Sequence, residues 1–297
     1  MKLKTGKIDN TERKFIPIRK TKFKEYVEKL TFIEEFKITQ YYDGDYKYRK
    51  FESDNNKFTR SKKEKNFTIV EEIDEKEFLK HFSQKYIIKK ERRKYKDDIY
   101  TIEIDQFDEP VHMTMIEVSI DNGNLQDYKP EESFIEVTDN PIYQNENIQN
   151  GSVKKSNIII EGTDGVGKTT TITKLLEDGI ICQDRCEDVI SKNMMFDIDK
   201  YERAKKIYEE YLVKREETIV IFLINLDKKE LERRIRKREK ISEFDLRAYE
   251  YGLLYKETYE YISQNFGTKG RLIMIDCGGL NIEEQYRKVR DLILNLK

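Results

Sequence analysis

Two folds in one chain are predicted: an α+β domain built on antiparallel strands over residues 1–150, and an α/β domain with a parallel sheet over residues 151–297. Three observations predict them. Short runs in the first half alternate Tyr, Phe, Ile or Thr with charged residues, the period-2 pattern of antiparallel strands. Runs in the second half are continuously apolar and each is followed by a helix-like stretch, as in parallel sheets covered on both faces. Between them, residues 121–156 are rich in Asn, Asp, Pro and Gly, with "NENIQNGSVKKS" of linker composition. At 297 residues the chain is long enough for two cores.

The first-half strands are "FKITQYY", "DYKYRKF", "DIYTIEIDQF" and "VHMTMIEVSI", interrupted by one helical candidate, "DEKEFLKHFSQKY", with Phe78, Leu79 and Phe82 on one face. Charge at every second position of so many strands exceeds what one wet face needs. A closed antiparallel barrel with an ionic interior accounts for it, provided that a multiply charged ligand and a metal sit inside. In the second half the strands are "NIIIE", "GIICQ", "TIVIFLI" and "RLIMIDC".

Lys plus Arg (57) nearly cancels Asp plus Glu (58), so no overall polycation exists for indiscriminate nucleic-acid binding. No apolar run reaches the ~20 residues that span a bilayer, and MKLKTGKIDN lacks the apolar core of a signal peptide. A soluble, cytoplasmic protein without a membrane partner is expected. Cys182, Cys186 and Cys277 read as small buried hydrophobes, and His81 and His112 as structural residues.

"NIIIEGTDGVGKTTTITKLL" contains the G-x4-G-K-[ST] pattern between a strand and a helix, the context in which such a loop cradles phosphates. Gly162, Asp164, Gly165 and Gly167 would point amides at phosphate oxygens, with Lys168 neutralising the β- and γ-phosphates and Thr169 ligating Mg²⁺. ATP is the expected ligand.

"EGTDGVGKTT", which extends the bare pattern by Glu161, Asp164 and Thr170, resembles the thymidylate kinase version of this loop. "CQDRCEDVISKNMMF" resembles the Asp-Arg segment of thymidylate and deoxynucleoside kinases, which implies metal and acceptor-oxygen roles for Asp184 and a phosphate-holding role for Arg185. "LERRIRKREKISEFDLRAYEYGLLYKETYEYI" resembles their arginine-bearing lid. It implies Arg234 and Arg238, with Arg233 and Arg236 behind them, as mobile charges over the phosphates. Only 13 residues (171–183) separate Thr170 from Asp184, where that family fits another strand and helix. Polynucleotide kinases are similar in this spacing, which makes a nucleic-acid 5′-hydroxyl a competing acceptor beside a nucleotide or nucleoside.

Most of the first half resembles the CYTH or triphosphate tunnel metalloenzyme family. "NTERKFIPI" looks like its opening motif with Glu12 and Lys14 in place. "DYKYRKF" then supplies Lys47 and Arg49, "VEEI" supplies Glu71 or Glu72, and "IIKKERRKY" supplies Lys90 and Arg92. "YTIEIDQF" supplies Glu103 and Asp105, "MIEVSI" supplies Glu117, and the closing "FIEVTDNPIYQN" supplies Glu136. The resemblance implies that Lys14, Lys47, Arg49, Lys90 and Arg92 bind a triphosphate or polyphosphate. It implies that Glu12, Glu71, Glu103, Asp105, Glu117 and Glu136 hold Mg²⁺ or Mn²⁺. Asn10 and Ser119 stand where the family has carboxylates. The expected function is a nucleotide kinase fused to a triphosphate-binding or triphosphate-hydrolysing tunnel. Its alternatives are RNA 5′-end processing and a non-catalytic polyphosphate sensor, and an oligomer is compatible with all three.

Overall fold

Charged and apolar residues that alternate along a strand must be sorted onto opposite faces of a sheet, and the first half of the chain does this over ten strands. The computed structural model describes residues 2–7, 12–53, 56–64, 67–80, 82, 87–121, 123–185 and 189–296. His81, Cys186 and Asn10 lie outside the described residues. Two compact units result, one of Met1–Pro17 and Lys22–Ser156, the other of Ile18–Thr21 and Asn157–Lys297. Among the described residues no helix is long and apolar enough to cross a membrane.

In the first unit the strands are β1 (Lys2–Lys7), β2 (Arg13–Pro17), β3 (Thr31–Asp43), β4 (Tyr46–Glu52), β5 (Lys57–Lys63), β6 (Phe67–Ile73), β7 (Ile88–Asp97), β8 (Tyr100–Glu109), β9 (Met113–Ile120) and β10 (Phe134–Glu136). They form one sheet in the order β1-β6-β5-β4-β3-β7-β8-β9-β2-β10, antiparallel at each step. The expected barrel stands here as one large antiparallel sheet, in which no pairing joins β1 to β10 among the described residues. It is nonetheless strongly curved. Lys47 on β4 and Glu117 on β9 are four strand steps apart, about 19 Å if the sheet were flat, yet the two charges act on one another.

One face is apolar and covered. Phe15, Ile104, Ile116 and Val118 pack with Tyr26 of helix α1 (Lys20–Val27). Tyr41, Tyr48 and Phe58 pack with Phe78 of helix α2 (Glu75–Lys80). The helix predicted over residues 74–86 is described only as this six-residue α2. Its expected face of Phe78, Leu79 and Phe82 is split: Phe78 is buried, whereas Leu79 is 53% exposed. The expected linker also has structure. Residues Asn145–Gln149 form helix α3, and the Gln149 side chain accepts from the Tyr42 N–H at 2.8 Å and donates to the Tyr42 carbonyl at 3.3 Å. Its amide extends the hydrogen bonding of β3 beyond the end of β7, satisfying backbone groups that would otherwise lack partners.

The second unit holds a four-stranded sheet of β11 (Lys155–Gly162), β12 (Ile180–Asp184), β13 (Ile219–Ile224) and β14 (Leu272–Asp276), in the order β12-β11-β13-β14. β11, β13 and β14 run parallel. The predicted apolar runs are these strands, and Val220, Phe222 and Ile224 join Ile159 in a core with Tyr211, Tyr251 and Tyr255. The helices are α4 (Lys168–Glu177), α5 (Lys192–Asp197), α6 (Lys200–Ile207), α7 (Lys228–Ile235), α8 (Glu243–Leu246), α9 (Ala248–Asn265) and α10 (Ile282–Asn295). After α6 the helix widens into a π-helical stretch, Tyr208–Val213. α4 returns directly to β12, so residues 171–183 hold no further strand or helix.

Candidate functional site

Because residues opposite one another on neighbouring strands share a face, the register places the first-half candidates. Lys14 faces Glu117, Glu117 faces Glu103, Asp105 faces Arg92, and Gln40 faces Arg49 across adjacent strands. All therefore lie on the inner face of the curve. Arg92 is the hub. Its guanidinium donates to Asp105 at 2.6 Å through both Nε and Nη2, to Glu117 Oε2 at 2.8 Å, and through Nη1 to Glu103. The Lys90 Nζ donates to Asp105 Oδ2 at 2.5 Å, and the Lys14 Nζ stands 3.2 Å from Glu117 Oε1. Burial pushes the Glu117 carboxyl up, but Arg92, Lys14 and Lys90 more than offset it and hold the pKa well below the usual carboxylate range. Asp105 is held down in the same way by Lys90 and Arg92 against its burial.

Lys47 and Arg49 differ from these. Neither has a carboxylate within ion-pairing distance among the described residues, and the hydrogen bond of the Arg49 side chain is to the neutral Gln40 Oε1, at 2.8 Å. Gln40 is fully buried and its Nε2 has no hydrogen-bond partner among the described residues. Burial, then repulsion from Arg49, Lys90 and Arg92, pushes the Lys47 pKa down to about 7. Lys90 falls to about 8, again chiefly by burial. Two cations without a carboxylate partner, and an amide N–H without an acceptor, thus face inward among the described residues.

Two expected ligands are on the other face. Glu71 lies opposite Arg60 and pairs with it at 2.5 Å, on the side of Tyr48. Glu136 pairs with Arg13 at 2.6 Å, on the side of Phe15, and also accepts from Thr138. Strand parity decides both cases. Glu72, the alternative to Glu71, lies opposite Thr59, on the side of Arg49, and is exposed. Ser119 lies opposite Thr101.

Glu12 is exposed but closely flanked. That desolvation, followed by repulsion from Glu117 and then Glu103, raises its pKa. No three His, Cys, Asp or Glu side chains among the described residues converge as a protein-only metal cage. The set fits a cation that takes one or two carboxylates from the protein and the rest of its shell from phosphate oxygens, the usual mode of Mg²⁺.

In the second unit β11 ends on the glycine loop. Gly162 has φ 138°, and a Cβ there would stand 1.8 Å from the Leu223 carbonyl oxygen of β13, so no other residue fits. Gly167, at φ 89°, precedes α4 as its N-cap, and no side chain among the described residues caps the helix, which leaves its first-turn amides without an intrahelical acceptor. A Cβ at Gly165 would meet Ile235 at 2.9 Å, so α7 packs its apolar face on the loop. The Lys168 Nζ donates to the Gly162 carbonyl at 2.9 Å and to the Thr163 carbonyl at 2.5 Å. Burial and then Arg185 push its pKa down to about 7, although Asp184, Asp164 and Glu161 oppose them. Thr169 and Thr170 are exposed on the first turn of α4.

β12 delivers Asp184 and Arg185 to the same place. The Arg185 Nη2 donates to Asp164 Oδ1 at 2.7 Å, from a residue held at φ 64°. The lid arginines are arranged otherwise. α7 ends at Ile235, so Arg234 and Arg238 share no helix. Arg234 is tied to Glu230 at 2.9 Å and to the Leu280 carbonyl at 2.7 Å, and Arg238 pairs with Asp245. Arg233 and Arg236 pair with Glu230 and Glu232. Each of the four expected mobile charges therefore has a carboxylate within 3.9 Å, although Arg233 and Arg236 remain largely exposed.

No protein-family model matches the chain, and no curated protein matches it. Among solved structures it is similar to the inorganic triphosphatase NE1496, at 21% identity over 46% of this chain and 95% of that one, with a TM-score of 0.32. A conserved hypothetical protein from Pyrococcus furiosus matches at 17% identity over 39% of this chain and 82% of that one, TM-score 0.30. PH1012 from Pyrococcus horikoshii OT3 matches at 16% over 42% and 82%, TM-score 0.29.

Two participants, Gln40 and Arg19, escape sequence reasoning, and so do the partners of Glu161. Gln40 is on the inner face only by virtue of its register with Arg49. The carboxylate of Glu161, fully buried beside the loop, accepts from Tyr211 at 2.8 Å and Tyr255 at 3.2 Å, tyrosines distant in sequence. Arg19, in the segment Ile18–Thr21, lies 3.0 Å from Asp184 Oδ2. Parity along β3 would have found Gln40, but no local signal marks the others.

Proposed function

We propose that the chain handles phosphoanhydrides at two places. A triphosphate or polyphosphate is held and hydrolysed at the inner face of the first unit. A nucleoside triphosphate is held at the glycine loop of the second, which passes its γ-phosphoryl to a nucleotide or nucleoside. The observation that carries the first reading is the pair Lys47 and Arg49, inward-facing and with no carboxylate at ion-pairing distance among the described residues. Holding cations together in a desolvated groove is unfavourable, and a ligand with several negative charges relieves it. Lys14, Lys90 and Arg92 add charge along the same face while Asp105 and Glu117 fix their positions. When bound, a divalent ion shared between phosphate oxygens and Glu12, Glu103 or Glu117 supplies polarisation of the phosphoryl group.

For the second reading, the uncapped start of α4, the tight glycines and buried Lys168 support a cradle for the β- and γ-phosphates, with Thr169 toward Mg²⁺. Asp184 and Arg185 flank Lys168, where an acceptor oxygen and its phosphate would be met. The short return from α4 to β12 favours a second acceptor class, a nucleic-acid 5′-hydroxyl, because residues 171–183 leave little chain to enclose a base.

Phosphorus NMR of the protein with Mg²⁺, ATP, tripolyphosphate and pooled nucleoside monophosphates tests both. New diphosphates from the monophosphates support the kinase; monophosphates left intact beside consumed 5′-hydroxyl oligonucleotide would move the acceptor to nucleic acid. Tripolyphosphate that neither binds nor breaks down rules out the reading of the first unit.

Two further outcomes are expected. Glu117→Gln should weaken tripolyphosphate binding or breakdown about tenfold or more by loosening Arg92 and Lys14, whereas Glu71→Gln and Glu136→Gln, on the opposite face, should leave it unchanged. Equal losses in all three would contradict the parity assignment. Lys47, at about 7, is protonated below neutrality and neutral above it. Tripolyphosphate affinity should therefore fall as pH rises through 7, with proton uptake on binding above it, and Lys47→Arg should flatten the profile because arginine stays charged. Calorimetry in buffers of different ionisation enthalpy reads that uptake directly.

A further inference from the structure

Asp184 is held by two consecutive residues that come from the far end of the chain. Its backbone N–H donates to the Ile18 carbonyl at 2.7 Å, and its Oδ2 accepts from the Arg19 Nε, with the Nη2 also at 3.0 Å. These residues belong to the second unit although the flanking β2 and most of α1 belong to the first. Ile18 is buried and Arg19 partly so, while Asp184 is 1% exposed. The other oxygen of Asp184, Oδ1, is buried and has no hydrogen-bond partner among the described residues. The carboxylate also acts electrostatically on Lys168, so it belongs to the surroundings of the glycine loop. Turning this carboxylate about its Cβ–Cγ bond would break both guanidinium contacts, so Arg19 sets which way Oδ1 points. Immediately downstream, Arg185 is at φ 64°, a costly conformation for a residue with a side chain, and the clamp on Asp184 helps to hold it.

We propose that Arg19 is a positioning residue for the phosphate site of the second unit: it orients Asp184 so that the free carboxylate oxygen serves the Mg²⁺·nucleotide, and residues 18–21 complete that site. The proposal rests on the nucleotide reading of the glycine loop. A role that was only structural would not depend on Mg²⁺, and the measurement uses this difference.

The full chain is titrated with the fluorescent nucleotide mant-ATP in excess EDTA and again in Mg²⁺, for wild type, Arg19→Ala, Arg19→Lys, Asp184→Asn and the double variant Arg19→Ala/Asp184→Asn. Arg19→Ala is expected to keep its Mg²⁺-free affinity within about twofold and to lose about tenfold of the Mg²⁺-dependent gain, the scale of one charge-assisted contact. Arg19→Lys should recover part of that gain. In the Asp184→Asn background Arg19→Ala should add no further loss, because residues acting through one another are not additive. If Arg19→Ala does not fold, Arg19→Lys carries the comparison: it keeps the charge but not the fork, and a gain equal to that of wild type overturns the proposal. A full Mg²⁺ gain in Arg19→Ala, additive losses in the double variant, or a wild type whose affinity does not rise with Mg²⁺ also overturn it. A wild type that binds no mant-ATP in either condition removes the nucleotide reading itself, an outcome visible before any substitution is compared.

Discussion

Lys168→Ala is expected to lower phosphoryl transfer by the second unit at least ~10²-fold, the scale seen when a principal electrostatic contact to a reacting phosphate is removed. Lys168 is buried, and its ammonium group bonds two carbonyls of its own loop, those of Gly162 and Thr163. Those neutral acceptors do not compensate its burial, and its pKa falls to about 7. An arriving triphosphate supplies the missing negative charge, so ligand binding and protonation reinforce each other. Affinity for mant-ATP should then weaken above pH 7, where the free protein holds Lys168 neutral, and the dependence should vanish in Lys168→Ala. Phosphotransfer by Lys168→Ala near the wild-type rate would remove the glycine loop from the chemistry, and tripolyphosphate breakdown that persists in the variant belongs to the first unit.

Arg92→Met is expected to destabilise the first unit by about 3–5 kcal/mol, because removing one partner of a buried ionic network leaves the others charged and unsatisfied. Arg92 contacts Asp105, Glu117 and Glu103 at once. With it gone, Asp105 keeps Lys90 and Glu117 keeps Lys14, so the loss falls short of full unfolding. Urea denaturation followed by a probe in the first unit measures it. A midpoint within error of wild type would mean that the network is solvated and contributes little. The two carboxylates held below their usual range also predict acid sensitivity. Their folded pKa values are depressed, so their stabilisation is fully present above the unfolded carboxylate range and is lost as pH falls from there down through the lower folded values.

Much of the fold was legible because it is local. The apolar run "TIVIFLI" is β13 within a residue, and alternation in "DIYTIEIDQF" is β8. The glycine loop was legible because backbone geometry demands those residues, as the 1.8 Å approach at Gly162 shows. Long-range pairing was not. Whether Glu71 and Glu136 face inward depends on parity relative to strands distant in sequence, and both face away. The same limit applies to the lid arginines: "LERRIRKRE" reads as a stripe of free charge, whereas Asp245 and the Leu280 carbonyl, which hold two of them, lie outside the stripe. Gln149, read as linker, hydrogen-bonds Tyr42 for the same reason.

The interleaving of Ile18–Thr21 with the later half of the chain has a consequence for the order of assembly during synthesis. The ribosome releases this segment early, but its partner Asp184 emerges only after the whole of Lys22–Ser156 has been made. The first unit can therefore fold around a tether whose middle must stay unclaimed until Asp184 has emerged, and closing so long a loop adds entropy cost only slowly with its length. A gene cut at the seam near residue 156 would yield a second half whose β12 has lost its earliest-made neighbour.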